Sequence, residues 1–326
     1  MTATTSTTPS SPSGNAAQPS APRRTRRGLY GVLSAVPTGV LWFLVALWSL
    51  PTMGMLVSSF REERAVKRTG WWTVVTDPQL TLDNYRAVFS TQGTDAPDLW
   101  QHFWNSVAIA VPATIIPIAF AAFAAYAFAW MEFPGRRTLF VVVVGLLVVP
   151  LQLSLVPLLQ LYTGGAHLTV FGETLTLFPD LDLNGTPTAV WLTHIAFGLP
   201  LAIFLLHNYF AALPKDLIEA ARIDGADHLT IFWRMVLPLS VPALAAFAIF
   251  QFLWVWNDYL VAVTFVGGAR DNAPLTVRLA SLSGGRGQDW HLLTAAAFVS
   301  IALPLAVFFS LQRYFVRGLL AGSVKG

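Results

Sequence analysis

The chain of 326 residues is 55% hydrophobic and only 11% charged, carries a formal net charge of +3 and contains no cysteine. Soluble globular domains carry roughly 25% charged residues, so this deficit argues against an ordinary wetted surface and points to a membrane protein. The missing cysteine excludes disulfides, thiolate metal centres and cysteine nucleophiles, and basic residues gathered at the ends of apolar runs argue against nucleic-acid binding.

Residues 1–22 are almost wholly Thr, Ser, Pro and Ala, and Arg23-Arg24-Thr25-Arg26-Arg27 follow. Such a segment cannot bury enough apolar area to offset its ordering entropy, so residues 1–33 read as a disordered basic tail. The arginines and the apolar run after them resemble either a signal peptide or a cytoplasmic anchor for a first spanning helix. The run is too long for a signal core and no small-residue cleavage site follows it, which favours the anchor.

A helix needs ~20 apolar residues to cross a ~30 Å hydrocarbon core. Six stretches within 34–326 qualify: 34–60, 103–131, 138–161, 188–206, 239–257 and 292–312. They do not alternate as barrel strands do, and backbone polar groups in lipid must be satisfied within the segment, so these are helices. The expected fold class is all-α, a polytopic membrane protein of six transmembrane helices. Pro51, Pro112, Pro117, Pro150, Pro157, Pro200 and Pro304 fall within or beside these runs and are read as tolerated prolines rather than functional kinks. Lys and Arg number twelve in the tail, the second and fourth loops and the C-terminus, against eight in the other three loops. That bias places both termini in the cytoplasm, against a local excess at Arg61, Arg64, Lys67 and Arg68.

The loop after the fourth run, 213–238, is the most informative. Pro214 suits a first helical turn, Asp216 and Arg222 suit the helix dipole, and Gly225 suits a left-handed residue that stops the helix. Leu213, Leu217, Ile218, Ala220 and Ala221 share one face, and Lys215, Glu219 and Arg222 lie on the other; Ile223 does not fit the pattern. A second short helix is expected from Asp227 to Arg234. Periodicity alone allows two readings, a plug that docks into a partner protein or a helix lying on lipid headgroups.

Glu219-Ala220-Ala221, Gly225, Met235 and Leu237-Pro238, at this spacing, resemble the EAA loop of ABC importer permeases, with Met235 where that family has isoleucine. Glu219 to Ala226, Trp256-Asn257-Asp258-Tyr259 and the ending from Arg317 to Gly326 are similar to the maltose-transporter-type sugar branch; Gly284-Gly285-Arg286-Gly287 with Trp290 is similar to its α-glucoside permeases. The resemblance covers roughly residues 35–326. It implies that Glu219, Ala220, Ala221, Asp224, Gly225, Leu237 and Pro238 couple the spans to a cytoplasmic ABC ATPase dimer. It also implies a second permease subunit, an extracytoplasmic sugar-binding protein and a place in the bacterial cytoplasmic membrane. The activity it implies is import of an oligosaccharide, an α-glucoside, by ATP-driven alternating access.

No G-x-x-x-x-G-K-[ST] loop is present to hold nucleotide phosphates, so ATP binding falls to a separate polypeptide and this chain is assigned no cofactor. No HExxH, paired intramembrane aspartates or Ser/His constellation is found, so no catalytic or metal-ligating residue is assigned. A sugar is held by aromatic faces with amides and carboxylates for its hydroxyls. Candidates along a substrate path are Gln152, Trp191, Gln251, Trp254, Trp256, Asn257 and Asp258, with Gln160 and His194 weighed beside them. Polar groups inside the bilayer favour a cavity or a protein neighbour. The structural alternatives are packing for Trp191 and Trp254, an interhelical hydrogen bond for His194 and a cap of the fifth span for Asp258. Other readings are a permease for a peptide or polyamine, and a membrane scaffold without cargo.

Overall fold

The computed structural model describes residues 38–91, 98–171, 173–267, 271–283 and 289–323, with side chains as far as Tyr314. The tail 1–33, the Gly284–Gly287 stretch and residues 324–326 lie outside the described residues. The chain divides into two compact units, one ending at Pro51 and one running from Thr52.

Helix α1 (Thr38–Ser59) is apolar and exposed along almost its whole length, as suits a lipid-facing span; its buried residues are Gly54, Ser58 and Ser59. After it come α2 (Glu63–Arg68), a 3-10 turn (Trp71–Val75) and α3 (Asp83–Val88). The fully buried Arg61 binds this connection together. Its guanidinium donates to Gly70 O at 2.9 Å and Thr69 Oγ1 at 3.1 Å, placing a cation at the C-terminal end of α2.

The second span, α4 (Leu99–Trp130), packs most extensively against the fourth, α7 (Pro187–Ala211). Ala110, Ala113, Ala121, Ala122 and Ala125 of α4 and Ala202 of α7 are buried. Small side chains let two helix backbones approach closely where lipid offers no hydrophobic drive to associate. Thr186 caps α7 through Ala189 N, with Pro187 at its first turn.

The third span is not the single helix expected over 138–161. It is a pair, α5 (Arg136–Gly145, continued by a 3-10 turn to Val148) and α6 (Leu151–Gly164), bent by 103°. The cause is local. Pro150 has no amide hydrogen to donate and pushes Val149 out of the helical region, to φ −69° and ψ 120°. The tolerant reading therefore fails at Pro150, whereas Pro51, Pro112, Pro117, Pro157, Pro200 and Pro304 stay inside continuous helices.

Between the third and fourth spans stands an antiparallel hairpin, β1 (Ala166–Val170) and β2 (Glu173–Phe178), that the hydropathy pattern did not reveal. Gly165 enters it at φ +65°, where a Cβ would stand 2.5 Å from Phe178 O.

The fifth span is also bent. Helix α8 (Lys215–Ile223) and α9 (His228–Ile231) form the loop; a π turn (Phe232–Val236) and α10 (Leu237–Leu239) lead into α11 (Val241–Trp256) through a 70° bend. Pro242, four residues after Pro238, cannot donate the hydrogen bond that would continue the helix across Ser240. Helices α12 (Leu260–Val266) and α13 (Leu275–Leu282) precede α14 (Trp290–Ser323), the sixth span. Among the described residues, four unbroken helices are long and apolar enough to cross a membrane, and counting each bent pair as one span brings the number to as many as six.

The buried apolar residues form two clusters along the α4–α7 pair. One holds Ile109, Ala110 and Ala113 with Val190, Phe252, Val255 and Phe265; the other holds Ala121, Ala125 and Tyr126 with Leu206, Phe210, Ile218 and Phe232. Gln251, His194 and Gly198 fall between them in chain position on each helix.

Candidate functional site

The loop 213–238 rests on the second cluster. In α8, Ile218 is buried at 2% exposure and Ala221 is half-buried, as is Leu213 just before the helix. Gly225 stands at φ +84° with no atom within 4 Å of where a Cβ would stand, so backbone conformation alone requires glycine there. Asp227 caps α9 by accepting from Thr230 N at 2.9 Å, and these hydrogen bonds hold its carboxyl below the usual carboxylate range.

The expected apolar face does not act as one surface. Leu217 and Ala220 are exposed, and Ile223, which broke the pattern, is exposed at 86%. Residues 217, 220 and 223 recur at i, i+3 and i+6, so they share a stripe of their own, with Asp216 and Glu219 beside it. The helix therefore has two apolar sides, one seated on the spans and one open. Glu219, Ala220, Asp224, Gly225 and Pro238 are exposed; Ala221 and Leu237 are half-buried.

Contacts that composition did not signal hold this loop. Tyr126 Oη and His228 Nδ1 share a hydrogen bond at 3.0 Å. Phe123 stacks on Phe232 with ring centres 4.8 Å apart, and Tyr126 meets the same ring edge-on at 5.4 Å. Arg222 Nη2 donates to Trp130 O at 3.1 Å. The aromatic recurrence at 123, 126 and 130 in an alanine-rich run was the available sequence signal.

The substrate-path candidates separate once placed. Gln251 is fully buried; its Nε2 donates to Ala113 O at 3.1 Å and to His194 O at 3.4 Å, tying α11 to α4 and α7. Trp256 is buried, stacks on Phe252 and donates from Nε1 to Ser300 O at 3.1 Å. Asp258 accepts from Val261 N and Ala262 N, so it caps α12, the helix after the fifth span. His194 is fully buried, with Nε2 3.5 Å from Asp258 Oδ2 and its ring edge-on to Trp254. Asn257 is exposed and bonds back to Leu253 O; Gln152 and Gln160 are exposed, and Trp191 is half-buried against the first cluster.

Trp254 lines a cavity of about 490 Å³ at the elbow of the third span, with Phe197, Phe250, Leu147, Val149 and Ser154. Among the described residues, no group of three or more His, Asp and Glu could hold a metal ion.

Four unbroken apolar helices and two bent pairs, with an exposed loop anchored on them, define a multi-span membrane protein. The chain belongs to the family described as the inner membrane component of binding-protein-dependent transport systems, whose model matches residues 118–320. It is therefore a transporter component of the inner membrane, and the reading as a scaffold without cargo is set aside. It is 56% identical, over 86% of its length and 88% of the relative's, to an osmoprotective compounds uptake permease protein of Synechocystis sp.. It is 55% identical, over 83% of its length and 67% of the relative's, to an α-glucoside transport system permease protein of Rhizobium meliloti. The fold is similar to a chain in the crystal structure of a bacterial ABC transporter that imports alginate, with TM-score 0.57, 13% identity, and 91% and 96% of the two chains covered.

Proposed function

We propose that this chain is a permease subunit that carries an α-glucosidic oligosaccharide across the bacterial cytoplasmic membrane by ATP-driven alternating access. The observation that carries this reading is the open stripe Leu217, Ala220 and Ile223 beside Glu219, on a helix whose opposite side is seated on the spans. An exposed apolar stripe on an anchored helix suits a protein groove that receives helices. We assign the groove to a cytoplasmic ABC ATPase, which places both termini in the cytoplasm. Glu219, Ala220, Ala221, Asp224, Gly225, Leu237 and Pro238 form the coupling surface, and nucleotide stays on the ATPase.

The cargo assignment is supported by the 55% identical α-glucoside relative. The cavity beside Trp254 and Phe197 offers flat faces for the C–H side of a sugar but almost no hydroxyl partners. Those partners are assigned to a second permease subunit that completes the path, and delivery to an extracytoplasmic binding protein. The relative named for osmoprotective compounds supports a second reading, a small osmoprotective solute as cargo.

The test is ATP hydrolysis by the transporter reconstituted with its co-purifying partners and binding protein, against α-glucosides and osmoprotective solutes. Stimulation by one α-glucoside is the expected result. Stimulation by an osmoprotective solute alone moves the cargo to the second reading, and no stimulation by any removes sugar from it.

A further inference from the structure

The coupling loop is joined in sequence to α7 and α11, yet several of its contacts converge on the last two turns of α4. Phe123, Tyr126 and Trp130 lie at i, i+3 and i+7 and so share one face of that helix. Helix α8 reaches this region through Arg222, which donates to Trp130 O. That carbonyl is one of the four that the end of a helix leaves without an intrahelical partner, and a guanidinium there is favoured by the helix dipole. Helix α9 reaches it through the Tyr126–His228 hydrogen bond, and the π turn through Phe232 packed on Phe123 and Tyr126. The Tyr126 ring is buried at 5% exposure, which fixes the direction in which its hydroxyl meets the exposed His228. Gly225 lies between the two grips, at the turn that sets the angle of α8 to α9.

We infer that α4 is the span through which the coupling loop acts, and that Tyr126 and Arg222 are positioning residues that convey displacement of α8 and α9 to it. This rests on the reading of the loop as the ATPase contact. A displacement of the loop can follow only the contacts that resist it. Those onto α4 include a polar pin from each of the two loop helices, which are directional, in addition to apolar packing, which can slide. The α4–α7 pair then carries the movement along the bundle, because its close small-residue contact makes the two helices move together.

The experiment uses the whole transporter in proteoliposomes and reads sugar transported per ATP hydrolysed, with co-purification of the ATPase as the assembly control. Tyr126→Phe keeps the ring packing and removes one hydrogen bond, and is expected to lower that ratio roughly two- to ten-fold. Arg222→Ala, on the exposed side where it cannot disturb the core, is expected to act in the same direction. The double variant Tyr126→Phe/His228→Ala should fall no further than the worse single variant, because the two groups act as one pair. Wild-type ratios in both Tyr126→Phe and Arg222→Ala, while Glu219→Ala and Gly225→Val lose coupling, overturn the role of α4 and leave the loop as the ATPase contact. Wild-type ratios in all four variants overturn both.

Discussion

A Cβ on Gly198 of α7 would stand 2.5 Å from Gln251 Nε2 and 2.7 Å from its Oε1 on α11. The glycine is thus the slot that admits a fully buried amide between two apolar clusters, and the amide uses the slot to reach backbone carbonyls of α4 and α7. Alanine at this position gains up to ~1 kcal/mol in helix propensity, but overpacking a tight contact costs about 1–3 kcal/mol, and the clash outweighs it. Gly198→Ala is expected to lower the thermal unfolding midpoint of the detergent-solubilised protein. Gly198→Ala/Gln251→Ala should recover part of that loss; an additive, deeper loss would show that the two residues do not share the slot.

Gly225 is a different case, because no atom stands near it and only its φ of +84° is demanding. Gly225→Ala is expected to cost about 1–2 kcal/mol in local backbone strain. Gly225→Asn should cost less, since asparagine tolerates the left-handed region. Membrane insertion and yield should stay near wild type while ATP-driven uptake falls, with the asparagine variant between the two.

Asp227 links the loop to pH. Its hydrogen bonds to Thr230 lower its pKa in the folded protein, so the stabilisation is present above the unfolded value near 3.8 and is lost as pH falls through the depressed folded value. Protection of the Thr230 and Ile231 amides, taken relative to their intrinsic exchange rates at each pH, should fall at acid pH in the wild type. Asp227→Asn keeps an acceptor that does not titrate and should remove that pH dependence; Asp227→Ala should exchange fast at every pH.

Trp254 and Trp256 are two residues apart and are expected to answer differently. Trp256→Phe keeps the ring stacked on Phe252 but removes the buried donor to Ser300 O, costing about 1 kcal/mol and lowering the unfolding midpoint without changing the KM for sugar. Trp254→Ala opens a cavity wall and should raise KM for sugar uptake. Equal KM shifts for both variants would remove this distinction.

The amino-acid sequence alone determined the membrane class, the approximate limits of the four unbroken spans, and the glycine-stopped helix at 215–223. Each depends on a cost met within a few residues: transfer of an apolar run into lipid, the left-handed φ at Gly225, the missing amide hydrogen of a proline. The family motif at Glu219 to Pro238 was legible for the same reason, as a fixed local spacing. Tertiary structure decided which partner each polar residue took. Gln251 and Asp258 looked alike in sequence as polar groups in or beside the fifth span, yet one ties three helices and the other caps the next helix. It also divided the apolar residues of α8 between a seated side at Ile218 and an open side at Leu217, Ala220 and Ile223, and brought Tyr126 to His228 across about a hundred residues. Hydropathy and periodicity register whether a side chain leaves water, but not what it meets, because that depends on elements distant in the chain whose approach is set by small residues such as Gly198.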